Sequence, residues 1–404
     1  MVDMSINFAG VELKNPMWLA NGHISQTVEQ MKKAIDAGVS VVDVKTSSDE
    51  PEGQIYPRAL PGFLDKYEMP QNYSFGLIAL LPLEKHVKLI REIKPIAEKE
   101  DVKVLGSYGM LPADGIAGFV KAAQAIEEAG ADLFKFAVAG CPLIEATKSE
   151  EERQAELKLY YESLNELCTA IKEGVSIPVG LKLISRDMVD LLNGLNSSAR
   201  SVDWLEIQGD YSGWVIDVEA GRPVFPTMSQ WGRASKNLSV NMAHFTYNYL
   251  KSNNLDIPIM STGGIWTWRD SIERMMVGAT CFNMHTAVEY RGYKLYTEVL
   301  DGMKKFLERK EYEKASNIIA VATPYMDDPE EIEKWFVEYV VPPEKVLITV
   351  DPKKCNGCGR CEVCVSDGIR VEEDLAKVDL AKCDRCGLCA SLCPSDAITL
   401  KIVK

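Results

Sequence analysis

Two cysteine runs near the C-terminus read Cys355-Asn-Gly-Cys358-Gly-Arg-Cys361-Glu-Val-Cys364 and Cys383-Asp-Arg-Cys386-Gly-Leu-Cys389-Ala-Ser-Leu-Cys393-Pro394. Thiolates spaced two residues apart, with a proline after the last, are typical of cubic iron–sulfur clusters. In such a pair of runs, three ligands of one run bind one cluster and the fourth reaches the other cluster. The spacing therefore predicts two 4Fe-4S clusters in a small domain. The expected ligands of the first cluster are Cys355, Cys358, Cys361 and Cys393, and those of the second are Cys383, Cys386, Cys389 and Cys364.

A zinc ribbon is the alternative, because two Cys-x2-Cys pairs can also bind zinc. The second run matches the cluster pattern throughout. The first run departs from it, since only two residues separate Cys361 from Cys364 and Val365 stands where proline is frequent. Whether Cys364 binds the second cluster is therefore the open point of this assignment. If the clusters form, the protein transfers electrons one at a time.

The composition is that of a globular protein with one large and one small domain. The chain has 404 residues, of which 46% are hydrophobic, and this is enough for a sizeable core. It contains no apolar run long enough to span a membrane, and its first residues, Met-Val-Asp-Met-Ser, lack the features of a secretory signal. Thiolate ligands agree with a reducing compartment. We therefore expect a cytoplasmic protein without a membrane segment.

The charge of the chain restricts its partners. A formal net charge of -14 is unfavourable for a general nucleic-acid surface, which needs clustered lysine and arginine. No Gly-x-Gly-x-x-Gly follows a predicted strand, and no phosphate loop of the NTPase type is present. We expect small molecules and other proteins as partners, with any NAD(P)H acting through another chain.

Short apolar runs alternate with longer helical patterns from residue 15 to about residue 310, which is typical of a parallel sheet covered by helices. The eight runs are Met17–Asn21, Val39–Lys45, Val102–Tyr108, Leu133–Val138, Ile177–Ile184, Trp204–Gln208, Ile257–Thr262 and Thr280–Met284. Eight strand–helix units predict an α/β fold with a closed (β/α)8 TIM barrel, and an open doubly wound sheet is the alternative. We expect the barrel in residues 1–310, a helical connector in 311–345 and a small α+β cluster domain in 346–404.

The sequence pattern predicts one helix in detail and two long loops. A helix is predicted between Asp114, a suitable N-cap, and Gly130, with an apolar stripe that faces the sheet. The stripe consists of Phe119, Ala122, Ala123 and Ile126. Two long connections, Ser47 to Phe75 and Gly209 to Leu238, mix aromatic residues with glycine and proline. Loops of this length are often functional, and we interpret both as lids.

The residues that follow the strands are the candidates for an active site, because a TIM barrel carries its site at the carboxyl ends of its strands. The seventh run ends in Thr262-Gly263-Gly264, and His285-Thr286 follows the eighth. The loops after these two strands often bind a phosphate through backbone N–H groups, and glycine allows a close approach. The motif predicts a phosphate-bearing flavin here, with an ordinary tight turn as the alternative.

Two lysines and a cysteine lie at the ends of otherwise apolar strands. Lys45 and Lys182 could neutralise the charge of a reduced flavin, because a buried lysine is unfavourable without an anionic partner. Alternatively, they face outward or pair with a barrel carboxylate such as Asp43 or Glu206. Cys141 follows the fourth run and could exchange a proton with a substrate beside the flavin, although a lone cysteine is often only part of a core.

These motifs resemble those of dihydroorotate dehydrogenases and occur in the same order along the chain. They are Asn15-Pro16-Met-Trp-Leu-Ala20-Asn21-Gly22, Val-Lys45-Thr46, Tyr56-Pro57-Arg58, Gly140-Cys141-Pro142, Pro178-Val-Gly-Leu-Lys182-Leu and Ser-Thr-Gly263-Gly264-Ile265. With a two-cluster domain at the C-terminus, the chain looks most similar to the catalytic part of dihydropyrimidine dehydrogenases. The resemblance spans nearly the whole chain, and it is more specific for the fold and the flavin than for the substrate.

The resemblance implies a ferredoxin-like C-terminal domain and FMN bound in the barrel. The implied FMN-binding residues are Ala20, Asn21, Gly22, Lys45, Thr46, Lys182, Gly263, Gly264 and Thr286. Cys141 is implied as the general acid that protonates a ring carbon of the substrate. Electrons are expected to enter through the clusters from a partner, either a ferredoxin or an NAD(P)H-dependent flavoprotein subunit, in a homo-oligomer or a hetero-oligomer.

The chain departs from the family pattern where the family binds its pyrimidine. The family's Asn-Leu-Ser-Cys-Pro is Val138-Ala139-Gly140-Cys141-Pro142 here, and its Asn-Thr after the sixth strand is close to Gln208-Gly209-Asp210. Loss of the asparagines that bind the amide edges disfavours a uracil-like ring. His285 stands where the phosphate loop of the family has glycine, which alters contacts with the flavin.

The sequence therefore predicts an oxidoreductase acting on CH–CH bonds. It is expected to reduce an activated C=C bond of a small cyclic or conjugated substrate, with electrons relayed through the clusters to FMN. One alternative is a dihydropyrimidine dehydrogenase proper, which reduces uracil or thymine. The other is an electron-transfer subunit without substrate chemistry of its own.

Overall fold

Eight parallel strands form a closed barrel in the computed structural model, which describes residues 2–48, 71–74, 80–109, 115–137, 149–185, 188–209, 211–212, 216–223 and 229–403. The strands, β1 to β8, are Met17–Leu19, Val41–Asp43, Lys103–Gly109, Leu133–Ala137, Val179–Ser185, Trp204–Gly209, Ile259–Thr262 and Cys281–Met284. Each strand pairs with the next, and β8 pairs with β1, where Phe282 lies opposite Met17. Every predicted run overlaps one of these strands, and β3, β5 and β6 each extend one residue beyond their run. The TIM-barrel prediction is therefore confirmed, and the open sheet is wrong.

A helix follows each strand on the outside of the barrel. The helices, α1 to α8, are Val28–Asp36, Leu83–Lys99, Gly115–Glu128, Glu150–Gly174, Met188–Ser198, Lys236–Ser252, Trp268–Met276 and Lys294–Arg309. Helix α1 begins where the Thr27 hydroxyl accepts the N–H of Gln30, as an N-cap does. The predicted apolar stripe of α3, from Phe119 to Ile126, is buried, as the helical period indicates. A short helix, Thr286–Arg291, lies between β8 and α8.

The amino ends of the barrel strands are closed by aromatic packing. A hairpin of strands Ile6–Phe8 and Val11–Leu13 precedes β1. Its Phe8 ring packs edge-on against Trp18 of β1 and Trp204 of β6, with ring centroids 4.8 and 5.4 Å apart. A β-carbon on Gly180 of β5 would overlap the Trp204 indole, so this position requires glycine. The aromatic cluster fills one end of the barrel and leaves the carboxyl ends of the strands for a site.

The two long connections predicted as lids are joined by backbone pairing. Strand Ser229–Gly232 pairs with Gln71–Ser74 on one side and with Tyr211–Ser212 on the other, all antiparallel. Two shorter pairs are Ser47–Ser48 with Leu81–Pro82, which lies just after the first connection, and Ile216–Asp217 with Arg222–Pro223 within the second. Much of both connections lies outside the described residues, and their role as lids stays a prediction.

The chain divides into two compact units, Met1–Thr323 and Pro324–Lys404. Residues 311–323, the first part of the expected connector, belong to the barrel unit, where Ala315 and Ile318 of the 3-10 helix Ala315–Ile318 are buried. The second unit contains the helices Pro324–Asp327, Pro329–Tyr339 and Leu388–Ser391 and the 3-10 helices Pro343–Lys345 and Arg360–Val363. Its strands are Val346–Val350, Ile369–Glu372, Leu375–Val378 and Ile398–Ile402.

The second unit contains two antiparallel strand pairs, the first strand with the last and the middle two with each other. This small α+β arrangement agrees with the fold expected for the cluster domain. In the described part of the chain, no helix is both long and apolar enough to cross a membrane.

Candidate functional site

Polar side chains from β1, β2 and β3 meet at the carboxyl end of the barrel. Asn21, just after β1, donates from Nδ2 to the Ser107 hydroxyl of β3 at 2.8 Å and to the Val44 carbonyl at 3.1 Å. The Ser107 hydroxyl lies 3.2 Å from Oγ1 of Thr46. Two residues expected at the FMN site, Asn21 and Thr46, are thus linked through Ser107, which the sequence analysis missed.

The imidazole of His86, on α2, ties together the backbone of two of these strands. Its Nδ1 lies 2.9 Å from the Lys45 carbonyl, and the N–H of Ser107 donates to its Nε2 at 3.2 Å. Because Nε2 accepts, the proton of the neutral ring lies on Nδ1 and points at the carbonyl. Burial lowers the pKa of His86 to about 4, so the ring is neutral near pH 7. No sequence signal marked His86, since its partners are backbone groups of distant strands.

Lys182 of β5 pairs with a buried carboxylate. Its Nζ lies 2.9 Å from Oε1 of Glu206 on β6, one of the two barrel carboxylates that the sequence offered as partners. The other oxygen of Glu206 lies 2.5 Å from Nζ of Lys135, and Lys135 also contacts Asp43. Lys135 was missed, although a lysine inside the apolar run Leu133-Phe134-Lys135-Phe136 is a recognisable signal.

The charged groups of this network affect each other's pKa. Burial alone would raise the pKa of Glu206, but the adjacent Lys135 and Lys182 hold it at about 2. Burial raises the pKa of Asp43, and Lys135 offsets this only in part. Glu206 is therefore the firmly ionised carboxylate of the network, and it fixes the position of Lys182.

The loop after β7 depends on glycine. Gly263 and Gly264 have φ of 101° and 71°, values that other residues rarely adopt. A β-carbon on Gly263 would lie 2.6 Å from Oγ of Ser239, and one on Gly264 would overlap the backbone of Lys236 at the start of α6. The loop thus passes close against the first turn of that helix.

A buried arginine holds this loop in place. Arg274 of α7 donates to the carbonyl of Gly263 and, at 3.1 Å, to the carbonyl of Lys236. Among the described residues, the Ser239 hydroxyl is buried and has no hydrogen-bond partner. Such an atom beside the glycines fits a polar ligand group at this loop. Arg274 was another residue that the sequence analysis did not identify.

His285 follows β8 at the carboxyl end of the barrel. The N–H of His23 donates to its Nε2 at 3.2 Å. Burial lowers the pKa of His285 to about 3, and the nearby His23, Lys45 and Lys182 lower it in the same direction. His285 is thus a neutral ring close to both lysines. Thr286, which follows it, is buried at the start of the short helix.

The described residues fit a phosphorylated, electron-accepting ring. Two lysines supply positive charge, Asn21 and Thr46 supply neutral polar groups, and the glycine loop with its buried hydroxyl suits a phosphate. Ala20, directly after β1, is buried. The expected acid Cys141 and its neighbours from Val138 to Pro142 lie outside the described residues, as does Asp210.

Five cysteines of the second unit surround one cavity. They are Cys361, Cys364, Cys383, Cys386 and Cys389. No three potential ligands in the described residues meet closely enough to bind a single metal ion. A cavity suits a cluster of several irons, because each iron takes its own thiolate. Cys364 shares this cavity with the three cysteines expected for the second cluster.

Hydrogen bonds reach the sulfur atoms of both runs. The N–H of Ala376 donates to Sγ of Cys355 at 3.4 Å, and that of Ala397 to Sγ of Cys393 at 3.2 Å. The Ser366 hydroxyl lies 3.2 Å from Sγ of Cys364, and this contact lowers the pKa of the Cys364 thiol. These contacts favour thiolates, the form that binds iron.

Comparison with known proteins gave matches over both units. A family model described as dihydroorotate dehydrogenase matches residues 3–307, and one described as a 4Fe-4S binding domain matches residues 376–399. The chain is 26% identical over 318 residues to the catalytic subunit of dihydroorotate dehydrogenase B (NAD(+)) of Methanocaldococcus jannaschii, which covers 76% of this chain and 94% of that one. It is 26% identical over 381 residues to the NAD-dependent dihydropyrimidine dehydrogenase subunit PreA of Escherichia coli K12. This alignment covers 91% of this chain and 86% of that subunit.

Proposed function

Because the chain belongs to the dihydroorotate dehydrogenase family, we propose that it reduces an activated C=C bond of a small cyclic or conjugated substrate, with electrons relayed through two 4Fe-4S clusters to FMN. Membership makes the chain a flavoprotein oxidoreductase, and the second match gives it a 4Fe-4S binding region. The observation that carries the proposal is the convergence of Asn21, Thr46 and Lys182 at the carboxyl end of the barrel, in a chain that also carries the cysteine-lined cavity.

We assign FMN to the barrel mouth. Its proposed contacts are Ala20, Asn21, Gly22, Lys45, Thr46, Lys182, Gly263, Gly264 and Thr286. When bound, FMN supplies the ability to accept electrons singly and to pass a pair to a carbon atom. Lys182, held by Glu206 at 2.9 Å, keeps positive charge at the mouth, which stabilises an anionic bound group. The loop of Gly263 and Gly264, held by Arg274, is the proposed phosphate site.

Cys141 is the proposed general acid. In the sequence it follows β4, and residues that follow a barrel strand are the usual source of catalytic groups in this fold. Reduction of a C=C bond requires a proton at one carbon, and a thiol can donate it. After protonating the substrate, the thiolate of Cys141 must take up a proton again before the next cycle.

The substrate differs from a pyrimidine in this proposal. Val138 stands where the family carries one amide-binding asparagine, and the family's Asn-Thr after the sixth strand is close to Gln208-Gly209-Asp210 here. Without those paired hydrogen bonds, a uracil-like ring loses the contacts on which its selection rests. Similarity to the PreA subunit over 91% of the chain keeps pyrimidine reduction as the second candidate.

An electron-donor protein completes the proposal. The relatives described above are named as a catalytic subunit and as a subunit of enzymes that use NAD. This chain has no nucleotide-binding fingerprint of its own. We therefore propose a ferredoxin or an NAD(P)H-dependent flavoprotein subunit as the donor to the clusters.

The first test is the cofactor content of protein purified without oxygen. Iron, acid-labile sulfide, zinc and released flavin are measured in the same sample. About eight irons and one FMN per chain are expected. Zinc in place of iron, or protein that binds no flavin when FMN is added, would contradict the proposal.

The second test separates an enzyme from an electron carrier. Cys141→Ala should lose reduction of conjugated cyclic enones and uracils while its flavin is still reduced by the donor. Cys168→Ala, at a buried cysteine of α4, is the matched control and should keep both activities. If Cys141→Ala turns over every substrate at the rate of the unaltered protein, Cys141 is not the acid. If no substrate is reduced while electrons pass to a second protein acceptor, the chain is an electron-transfer subunit.

A further inference from the structure

A charged layer of side chains lies inside the barrel below its mouth. The interior of a TIM barrel is usually filled by layers of branched apolar residues contributed by alternate strands. Here the alternate strands β2, β4 and β6 contribute Asp43, Lys135 and Glu206, whose side chains are 0%, 3% and 1% exposed. Charged groups at this depth are unfavourable unless they are paired.

Lys135 pairs with both carboxylates of this layer. Its Nζ contacts Oδ2 of Asp43 and lies 2.5 Å from Oε2 of Glu206. One cation therefore holds the side chains of two different strands. No catalytic step proposed above uses Lys135, Asp43 or Glu206 directly, so the layer requires another explanation.

The layer connects two of the proposed FMN contacts. Asn21 donates to the free oxygen of Asp43, Oδ1, at 3.3 Å, and Lys182 donates to the second oxygen of Glu206, Oε1, at 2.9 Å. The series Asn21, Asp43, Lys135, Glu206 and Lys182 is thus continuous from one side of the mouth to the other. Lys135 is its central member.

The charges of the series balance when its four ionisable members are all charged. Asp43 and Glu206 contribute two negative charges, and Lys135 and Lys182 contribute two positive ones. Without Lys135, both carboxylates depend on Lys182, whose side chain is 18% exposed and is the one that reaches the mouth. The excess negative charge would then draw the Lys182 ammonium inward and oppose electron uptake above it.

We propose that Lys135 is a positioning residue of the flavin site: it orients Glu206 so that Lys182 stays at the barrel mouth, and it balances the carboxylates beneath the bound flavin. This inference rests on the proposed function. It predicts that Lys135 affects the midpoint potential of the flavin without touching it.

The test measures the flavin midpoint potential and the FMN dissociation constant of the full-length holoprotein at about pH 8.5. Lys135→Met should shift the potential to more negative values and weaken FMN binding roughly tenfold, because a negative charge is left beneath the ring. Glu206→Gln should shift the potential to more positive values, because a positive charge is left instead. The double variant K135M/E206Q restores the balance and should return towards the unaltered protein.

A surface lysine provides the matched control. Lys172 pairs with Asp203 at 2.8 Å, with both side chains partly exposed, and Lys172→Met should change neither quantity. A folded Lys135→Met with an unchanged potential would overturn the inference, as would shifts of the same sign in both single variants, which indicate a packing role. If Lys135→Met does not fold, the midpoint potential of Glu206→Gln tests the inference instead. An unchanged potential in that variant also overturns the inference. If the unaltered protein binds no FMN, the proposed function itself fails.

Discussion

The imidazole of His285 occupies the space that any side chain at residue 22 would need, since a β-carbon on Gly22 would overlap the ring. The φ of Gly22 is 162°, an extended conformation open to every residue. Space alone therefore requires glycine at this position. His285 follows β8 and Gly22 follows β1, so this contact joins the two strands that close the barrel.

Gly22→Ala should displace His285 and break its hydrogen bond from the N–H of His23. The displaced ring would enter the proposed FMN site, and we expect FMN affinity to fall by about 5- to 150-fold, as overpacking commonly costs about 1–3 kcal/mol. Fluorescence titration with FMN measures the effect. The double variant G22A/H285G removes the overlap and should recover most of the affinity. Equal loss in the single and double variants would show that the contact is not the cause.

His86 should make the protein sensitive to acid. Its pKa is about 4 in the folded chain, against an ordinary value of 6.5, so the unfolded chain binds this proton more readily. The contribution of His86 to the free energy of unfolding is therefore fully present above pH 6.5. It falls by roughly 3 kcal/mol as the pH drops from 6.5 to 4. His285, with a pKa of about 3, contributes in the same direction.

Urea unfolding at a series of pH values measures this dependence. His86→Gln should be less stable at pH 7 by about 1–3 kcal/mol, because the Lys45 carbonyl and the Ser107 N–H lose their ring partner. Its stability should also fall less steeply below pH 6.5, by about one proton per chain. An unchanged pH slope in this variant would contradict the assignment of a neutral buried imidazole.

The assignment of each cysteine to one of the two clusters predicts which variants lose the same cluster. Cys364 and Cys386 line one cavity and are assigned to the second cluster. Cys364→Ser and Cys386→Ser should each reduce the iron content from about eight to about four atoms, and the double variant should lose no more than either single one. Iron analysis and electron paramagnetic resonance of the reduced protein check this. If Cys364→Ser keeps all its iron, or if the double variant loses both clusters, Cys364 does not belong with Cys386.

Replacing Arg274 should weaken binding of the FMN phosphate in particular. Its guanidinium holds the carbonyls of Gly263 and Lys236, and Arg274→Leu should loosen the glycine loop. We expect FMN affinity to fall by about tenfold or more while affinity for riboflavin, which lacks the phosphate, changes little. Arg269→Leu is the control, because Arg269 lies on the same helix but is exposed against the ring of Trp268. Parallel losses for FMN and riboflavin would place the phosphate elsewhere.

The sequence by itself determined the features that depend on local spacing. The apolar runs predicted all eight strands, and the helical period placed Phe119 and Ile126 on the buried face of α3. The cysteine spacing predicted a small cluster domain, and a 4Fe-4S domain matches its second run. Such patterns are readable because one element's period decides which of its side chains are buried.

Only the tertiary structure decided which polar residues meet. Asp43 and Lys135 lie 92 positions apart in the chain, and their contact depends on how strands two apart are staggered around the barrel. His86 and Arg274 act on backbone groups of other elements, which leave no trace in the spacing of side chains. The lysine of β5 had two possible carboxylate partners in the sequence, and only the closed barrel selects Glu206, because closure fixes the register of neighbouring strands.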